Sequence, residues 1–466
     1  MATRPVLFVP GFPGSHLKKV ATGDLFFLDV SALIFDRPRI LADLMGPEDL
    51  SDRSVAPAHP IGTAARFLVF DLAKQAKSLY DILRSIGYET EEPNELFRAL
   101  GWDWRKPVDD DLVRGDLRAA ILRLEHDGGR KPTVIVHSTG GLVLRALLEG
   151  EPELADHLEG VIAFGVPWGG TLRPLPLLLG SDGFGPVPAD ETQPILAHAW
   201  AAFDLLPPEA ANLPLGLALD SGGDPVDLLA ASRRTWFPPA FRAPMARRAN
   251  HSLALHQDRG QEMRLGGRDL PVANVVGFGA DTLLRARLAA DGTLGCERGK
   301  DDRHLDDGDG TVPRRSAAWL AGAKVRTFHL PIGFYPGHFQ ASFHNTLWKN
   351  PGGQDLLWNL LGGEPWRPFV HLALDGDDVN DFADTLRVRA ATLGEDGAPL
   401  RAVRVNFRGL TGRARAKKVA ESGGRSLYTI PRARIRKTSD GRFRRLSVRV
   451  SWQGGKTEER SFLMPA

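Results

Sequence analysis

This 466-residue sequence predicts an α/β protein with a largely parallel sheet covered on both faces, joined to an all-β, sandwich-like module. Three observations carry the prediction. Up to about residue 165, short apolar β-rich runs alternate with stretches of helical period, the pattern of parallel strands with crossover helices. From about residue 384 the period shortens to two, with apolar and polar residues alternating between turn signals. The charge divides near the same point. Residues 367–466 hold 21 Lys and Arg against 11 Asp and Glu, a net of +10, while the remainder holds 38 against 46, a net of −8. The overall +2 therefore conceals two unlike segments.

The elements follow in order. Arg4–Val9 reads as the first strand. Residues 71–86 read as a helix, because Leu72, Ala76, Leu79, Leu83 and Ile86 share a face and Gly87 stands just past the end. Residues 96–104 read as extended. Residues 109–126 open with three aspartates, which favour a helix N-terminus, and carry Leu112, Leu117, Ile121 and Leu124 at helical spacing. Thr133–His137 is a buried strand, Thr139–Leu148 a helix and Gly160–Gly165 the next strand. The pattern breaks at about 171–265, where Pro, Leu and aromatic clusters such as Pro174–Leu179 and Trp236–Phe241 read as an inserted cap or lid. Strand character returns at Val272–Phe278 and Lys324–Leu330, followed by a helix near Gln354–Leu361. Past Gly362-Gly-Glu-Pro365, residues 384–406, 426–436 and 443–452 alternate as in Leu386-Arg-Val388-Arg-Ala390, separated by turns such as Glu395-Asp-Gly. The expected organisation is residues 1–365 for the α/β part with its cap and 366–466 for the basic β module.

Composition narrows the function classes. With 42% hydrophobic and 25% charged residues the chain has ample core material, which excludes disorder as the main state. No run of about 18 apolar residues appears, so no membrane-spanning helix is expected. The N-terminus lacks the basic head and long apolar run of a signal peptide. The single cysteine, Cys296, excludes an internal disulfide framework. These features together lead us to expect a cytoplasmic protein.

The sharpest local signal is Thr133-Val-Ile-Val-His-Ser-Thr-Gly-Gly-Leu-Val-Leu-Arg145. A β-branched strand runs into Ser138, followed at once by two glycines and a helix, the context a nucleophile elbow requires. The turn lifts the serine from the sheet, Gly140 permits close helix–strand approach, and the helix N-terminus offers N–H groups to negative charge. His137 should point away from the catalytic face. Val136 stands where the G-x-S-x-G pattern has its first glycine, so the motif by itself also fits a plain strand–helix turn with a buried serine.

A serine nucleophile needs a base, and the base needs an orienting acid. In this architecture the chain order is Ser, Asp, His. Asp309, between glycines in Asp306-Asp-Gly-Asp-Gly-Thr-Val-Pro313, can occupy an exposed turn with its carboxylate inward. Downstream, His338 and His344 are both available. His344 is preferred because it lies just before the closing helix. The oxyanion hole needs two backbone donors: the N–H of Thr139, and that of Phe12 in the Pro10-Gly-Phe-Pro-Gly-Ser15 loop directly after the first strand. Two acidic clusters, Asp301/Asp302/His304/Asp306/Asp307 and Asp375/Asp377/Asp378/Asp381, lack the spacing of a calcium loop and read as solvated. No metal and no cofactor is expected.

Taken in order, five stretches resemble the lecithin:cholesterol acyltransferase family, which includes lysosomal-type phospholipases and phospholipid:diacylglycerol acyltransferases. Val9-Pro-Gly-Phe-Pro-Gly-Ser-His-Leu17 resembles its oxyanion loop. Trp102-Asp-Trp-Arg105 is similar to its Tyr-Asp-Trp-Arg signature, and His137-Ser-Thr-Gly-Gly141 to its His-Ser-Met-Gly-Gly elbow. Phe164-Gly-Val-Pro-Trp-Gly-Gly-Thr171 and Asp307-Gly-Asp-Gly-Thr-Val-Pro313 resemble its Gly-Ala-Pro-Trp-Gly-Gly-Ser and acid segments. The resemblance covers about residues 5–362 and leaves the last 100 unmatched. It implies an α/β-hydrolase fold with an inserted cap and a triad of Ser138, Asp309 and His344, since His344 with Leu347 fits the family pattern better than His338 with Ala341. The family's disulfide-bearing lid has no counterpart here.

What the resemblance implies for function is attack by Ser138 on an acyl ester, through a covalent acyl-enzyme. Water as acceptor makes a lipase, phospholipase or esterase, the favoured reading. An alcohol as acceptor makes an acyltransferase. A reading of another class is a degenerate hydrolase that binds a partner through its basic module. Trp102, Trp104 and Trp168 are placed at the acyl pocket or in the loops shaping it. Asp103 and Arg105 read as a structural pair. The expected partners are a lipid or other acyl ester, a membrane surface touched by cap segments such as Arg233-Arg-Thr-Trp-Phe237 and Met245-Ala-Arg-Arg248, and an anionic partner of the basic module. Nucleic acid is not expected, because the module has no evident set of stacking aromatics.

Overall fold

The computed structural model describes residues 4–27, 42–45, 55–60, 75–91, 93–183, 187–207, 217–228, 237, 239–247, 270–278, 280–289, 293–299, 307–320, 324–335, 340–342, 344–349, 351–361, 385–391, 404–412, 417–422, 425–437, 443–451 and 457–465. Its centre is a six-stranded parallel sheet of β1 (Val6–Val9), β2 (Phe97–Ala99), β3 (Thr133–His137), β4 (Gly160–Phe164), β5 (Val272–Phe278) and β6 (Val325–Pro331). The order is β6-β5-β4-β3-β1-β2. The chain leaves β1 toward one edge and comes back to β3 on the other side. The loops after these two neighbours therefore leave the same carboxyl end at a topological switch point, where open α/β sheets place their sites.

Period-two alternation sorts each strand between two cores. Val6, Phe8, Ile135 and Val275 face α1 (Gln75–Ile86) and the C-terminal helix Pro351–Leu361. Leu7, Val9, Val134 and Val136 face α2 (Asp111–Gly128) and α3 (Gly140–Gly150). The start of α2 shifts from the expected 109 because Asp110 caps it. Asp110 Oδ1 accepts the N–H groups of Leu112 and Val113 at 3.0 and 3.4 Å. Only Phe97–Ala99 of the expected stretch 96–104 is a strand. Trp102 to Val108 form a buried loop instead.

The described part of the cap is continuous with the α2/α3 core. Buried residues include Leu175 and Leu178 of α4 (Pro174–Leu178), Ile195 and Leu196 of α5 (Ala189–Ala197) and Phe203 of α6 (Trp200–Asp204). Trp200 N–H donates to Arg105 O (2.7 Å), and Val108 N–H to Asp204 Oδ2 (2.8 Å). Two segments expected at a membrane surface turn inward where they are described. Phe237 and Met245 are buried, and Arg247 pairs with Asp109 (2.7 Å) while lying over the Trp200 ring. Arg233 to Trp236 and Arg248 lie outside the described residues. No helix among the described residues is long and apolar enough to cross a membrane.

The C-terminal strands form two antiparallel sheets. β7 (Thr385–Ala391), β10 (Arg425–Pro431) and β9 (Lys417–Ser422) make one; β8 (Arg404–Arg408), β11 (Phe443–Ser451) and β12 (Thr457–Pro465) the other. Phe407 and Tyr428 bring the two sheets into ring contact, centroids 5.0 Å apart. Alternation in β8 is simple: Arg404, Asn406 and Arg408 are exposed, Val405 and Phe407 half-buried. The strands at 417–422 and 457–465 were not expected. Both are charge-rich edge strands, which carry little apolar periodicity.

Candidate active site

β3 delivers Ser138 at the carboxyl end of the sheet. Ser138 has φ +50°, the one non-glycine residue with positive φ among the described residues. Such a backbone costs free energy and points to a site that needs it. Val136 does not prevent the turn, because its side chain alternates onto the α2/α3 face and is buried there. Gly140 lies against the end of β1, where a Cβ would stand 2.6 Å from the carbonyl oxygens of Val9 and Pro10. This is the close approach expected of it.

Ser138 Oγ lies 3.1 Å from His344 Nε2, and His344 Nδ1 lies 2.6 Å from Asp309 Oδ2. A carboxylate only accepts, so Nδ1 carries the proton and Nε2 is left to accept from the serine hydroxyl. Asp309 Oδ1 accepts the N–H groups of Thr311 and Val312 at 3.0 and 2.7 Å, which fixes the acid from behind. All three side chains are buried. A hydroxyl with a base in reach and an oriented acid behind it can act as an activated nucleophile. His338 lies outside the described residues, as do Asp301, Asp302, His304, Asp306 and the cluster Asp375 to Asp381.

The loop after β1 closes over this line. A Cβ on Gly11 would stand 2.6 Å from Ser138 Cβ, so the loop backbone rests directly on the serine. Phe12 is the next residue, its ring edge-on to Trp104 at 5.3 Å. Thr139 caps the first turn of α3, where the N–H groups of Gly141 and Leu142 donate to Ser138 O and Thr139 O at 3.0 and 2.9 Å.

The tryptophans expected at the acyl pocket or in the loops shaping it are inside the protein. Trp102 and Trp168 are 2% and 0% exposed, and their indole N–H groups are taken up by Pro10 O (2.9 Å) and Asn274 Oδ1 (3.0 Å). Trp104 donates to Ser15 O at 3.2 Å. These rings shape the loops; they offer little face to a ligand in this structure. Asp103 and Arg105 form the expected pair, bidentate at 3.0 and 2.9 Å and buried.

Two further polar residues bear on the site, of which the sequence reading missed Asn274 and misplaced His137. Asn274, inside the apolar strand β5, accepts from Trp168 and donates to Ala317 O at 2.9 Å. It joins the loop after β4 to the short helix Arg314–Ala317 beside the acid. Thr171 Oγ1 and Ser316 Oγ, bonded to Thr311 O and Gly170 O, complete the same tie. An amide at a fully buried strand position is itself a signal of such a bond. The second is His137. The expectation that it points away from the catalytic face does not hold: its Nε2 lies 3.0 Å from His344 O, because the chain returns at residue 344 to the face that His137 occupies. Burial first, then the neighbouring His344, lowers its pKa to about 3, so it is neutral near pH 7.

The parallel sheet, with Ser138 on the turn between β3 and α3, has the α/β-hydrolase fold. Residues 64–211 match the sequence model of the lecithin:cholesterol acyltransferase family, a span that holds Trp102–Arg105, Ser138 and the Trp168 loop. The phosphatidylcholine-sterol acyltransferase of Rattus norvegicus is 26% identical over 209 residues, 39% of this chain and 48% of that protein. That of Gallus gallus is 30% identical over 118 residues, 25% and 29% of the two chains. The human protein is 24% identical over the same coverage as the rat. Residues 64–211 are thus similar to the lecithin:cholesterol acyltransferase family, and the chain spans about half the length of the rat and human relatives it matches. Among solved structures, that of the Tle4–Tli4 complex matches with a TM-score of 0.46 at 15% identity, over 75% of this chain and 96% of that one. Bacillus licheniformis lipase BlEst2 matches at 0.32 and 14%, over 77% and 92%.

Proposed function

We propose that this protein is a serine-dependent acyl-ester hydrolase acting on lipid or related esters. The observation that carries the reading is the hydrogen-bonded line Ser138–His344–Asp309, with Ser138 in a strained backbone under the Gly11 loop. Ser138 attacks the carbonyl carbon while its proton passes to His344 Nε2. Asp309 holds the imidazole in the reactive tautomer and stabilises the imidazolium. The N–H groups of Thr139 and Phe12 stabilise the oxyanion, a donor of this kind contributing about 10²–10³ in rate. His344 then protonates the leaving alcohol, and water releases the acyl group by the reverse sequence.

The named relatives favour a second acceptor. They are phosphatidylcholine-sterol acyltransferases, and the same acyl-enzyme passes its acyl group to an alcohol when water is kept out. One experiment separates these outcomes. The purified protein is incubated with mixed phospholipids and soluble esters, with and without a sterol, and the products are analysed by mass spectrometry. Free fatty acid is expected from the wild type. Ser138→Ala should lower turnover by about 10⁴-fold or more, and unchanged turnover would overturn the serine mechanism. A sterol ester in place of fatty acid would move the assignment to acyl transfer.

The basic module favours an anionic partner, read here as a phospholipid surface. Arg408, Arg434, Arg436 and Lys437 are exposed and adjoin one another, since Arg436 N–H donates to Gly409 O and Thr411 N–H to Arg434 O. Such a cationic patch concentrates an acidic surface near the enzyme.

A further inference from the structure

We propose that His137 is a positioning residue that holds the catalytic base from behind. The inference rests on the serine-hydrolase reading. Two consecutive residues of the elbow grip the same histidine at different points. Ser138 Oγ meets the His344 ring at Nε2 (3.1 Å), and His137 Nε2 meets the His344 main-chain oxygen (3.0 Å). A carbonyl only accepts, so His137 donates from Nε2. The base is thereby fixed at its ring by Ser138 and Asp309 and at its backbone by His137.

The backbone needs that third hold. His344 opens the short helical segment His344–Lys349, which is interrupted by Thr346 at φ −145°, ψ 33°. A broken turn supplies weaker internal hydrogen bonding to its first carbonyls. His137 reaches this carbonyl from the sheet. Its ring also packs on its neighbours, with centroids 4.9 Å from His344 and 5.2 Å from Trp348, the latter edge-on. Trp348 in turn donates to Ser78 Oγ of α1 at 2.8 Å. The base is thus referenced to β3 and to α1, two elements of the rigid scaffold, through one histidine and one tryptophan.

The residue type follows from what the position requires. It needs a flat ring to fill the space between His344 and Trp348, and a donor on the far side of that ring. It must also stay uncharged. Among the described residues the titratable group that meets it is His344. A cation at His137 would oppose the imidazolium that forms on His344 during acyl transfer. Burial keeps His137 neutral near pH 7. Phenylalanine would keep the shape and lose the donor. Glutamine would keep a donor at nearly the same place as Nε2.

The test compares His137→Phe and His137→Gln with wild type on a soluble p-nitrophenyl ester, with circular dichroism to confirm folding. A fluorophosphonate probe of Ser138 runs in parallel. His137→Phe should lower kcat by about 10- to 100-fold with KM within about twofold, because only the alignment of the base is lost. His137→Gln should recover most of that loss. The acid limb of kcat against pH should follow a single group in the wild type and in His137→Gln. A folded His137→Phe with wild-type kcat, or a His137→Gln as slow as His137→Phe, would overturn the proposal. Failure of the hydrolase reading itself looks different: wild type would neither cleave the ester nor take the probe at Ser138.

Discussion

Two parts of this chain use polar residues inside alternating strands in opposite ways. In the six-stranded sheet both faces are covered, and two of its buried polar side chains hold specific partners across the chain. Asn274 bonds Trp168 and Ala317, and His137 bonds the base. In β8 of the C-terminal sheets the polar residues Arg404, Asn406 and Arg408 simply face out. The buried Asn274 and His137 thus mark how the site is tied together, while the polarity of β8 is surface charge available to a partner. Changes in the first part should therefore be costly in specific ways, and changes in the second nearly silent toward a soluble substrate.

The largest effect should come from crowding the site where its backbones touch. In Gly11→Ala the new Cβ would stand 2.6 Å from Ser138 Cβ and 3.1 Å from His137 O. Neither neighbour is the free end of a flexible side chain, so the loop must move. Loss of one oxyanion donor by that movement predicts a fall in kcat of about 10²-fold or more, together with about 1–3 kcal/mol of stability. A variant with wild-type kcat would mean that this loop is not part of the site.

How much of this was legible beforehand differs between the two parts for the same physical reason. Strand and helix periodicity exposed the core sheet, because apolar residues dominate both of its faces. The order Ser138, Asp309, His344 was legible because a strand-to-helix turn, a Gly-flanked acid and a late histidine each have local sequence signatures. The roles of Trp102 and Trp168 were not legible. An aromatic beside a site reads the same whether its face meets a substrate or its N–H holds a loop, and the partners Pro10 and Asn274 are 92 and 106 residues away. His137 was not legible: it was expected to point away from the catalytic face, and only the return of the chain at residue 344 brings its acceptor there. In the C-terminal part, the edge strands at 417–422 and 457–465 escaped because charge on an edge strand erases the period that marks it.

Asn274→Leu sharpens the claim that buried polarity in the sheet exists for its bonds. The substitution keeps the volume approximately but strands the Trp168 N–H and the Ala317 carbonyl. Each buried group left without a partner costs about 1–3 kcal/mol. Denaturant unfolding should show a loss of about 2–6 kcal/mol. Wild-type stability would mean that the tie between the two loops contributes nothing.

The acid response of the sheet gives a smaller, graded effect. His137 has its pKa lowered to about 3 in the folded chain, against about 6.5 unfolded. Between these values the unfolded state binds the extra proton. Its contribution to stability is therefore complete above about pH 6.5 and is lost as pH falls toward 3, by at most about 1.4 kcal/mol per pH unit. Denaturation midpoints measured from pH 7 to pH 4 should fall accordingly, and less steeply in His137→Gln, which has nothing to protonate. Equal slopes in the two proteins would mean that His137 is not held neutral by burial.

The smallest effect on soluble-ester chemistry should come from the basic patch, and its smallness is the point. Replacing Arg434, Arg436 and Lys437 with glutamate changes the local charge by six. These side chains are exposed, so the cost to folding should be slight, within about 0.5 kcal/mol per site. Turnover of a soluble p-nitrophenyl ester should stay within about twofold. Binding to vesicles is where the change should appear. Wild type should sediment with phosphatidylcholine vesicles containing phosphatidylglycerol and not with phosphatidylcholine alone, and added salt should release it, since each basic residue near an acidic leaflet contributes about 1 kcal/mol through a screened interaction. The triple variant should stay in solution under both conditions. If it still sediments with the acidic vesicles, the patch is not the contact. If wild type ignores acidic vesicles and the variant instead slows the soluble ester, the two parts of the chain share one site, and the contrast between bonded and exposed polarity fails where it was drawn most sharply.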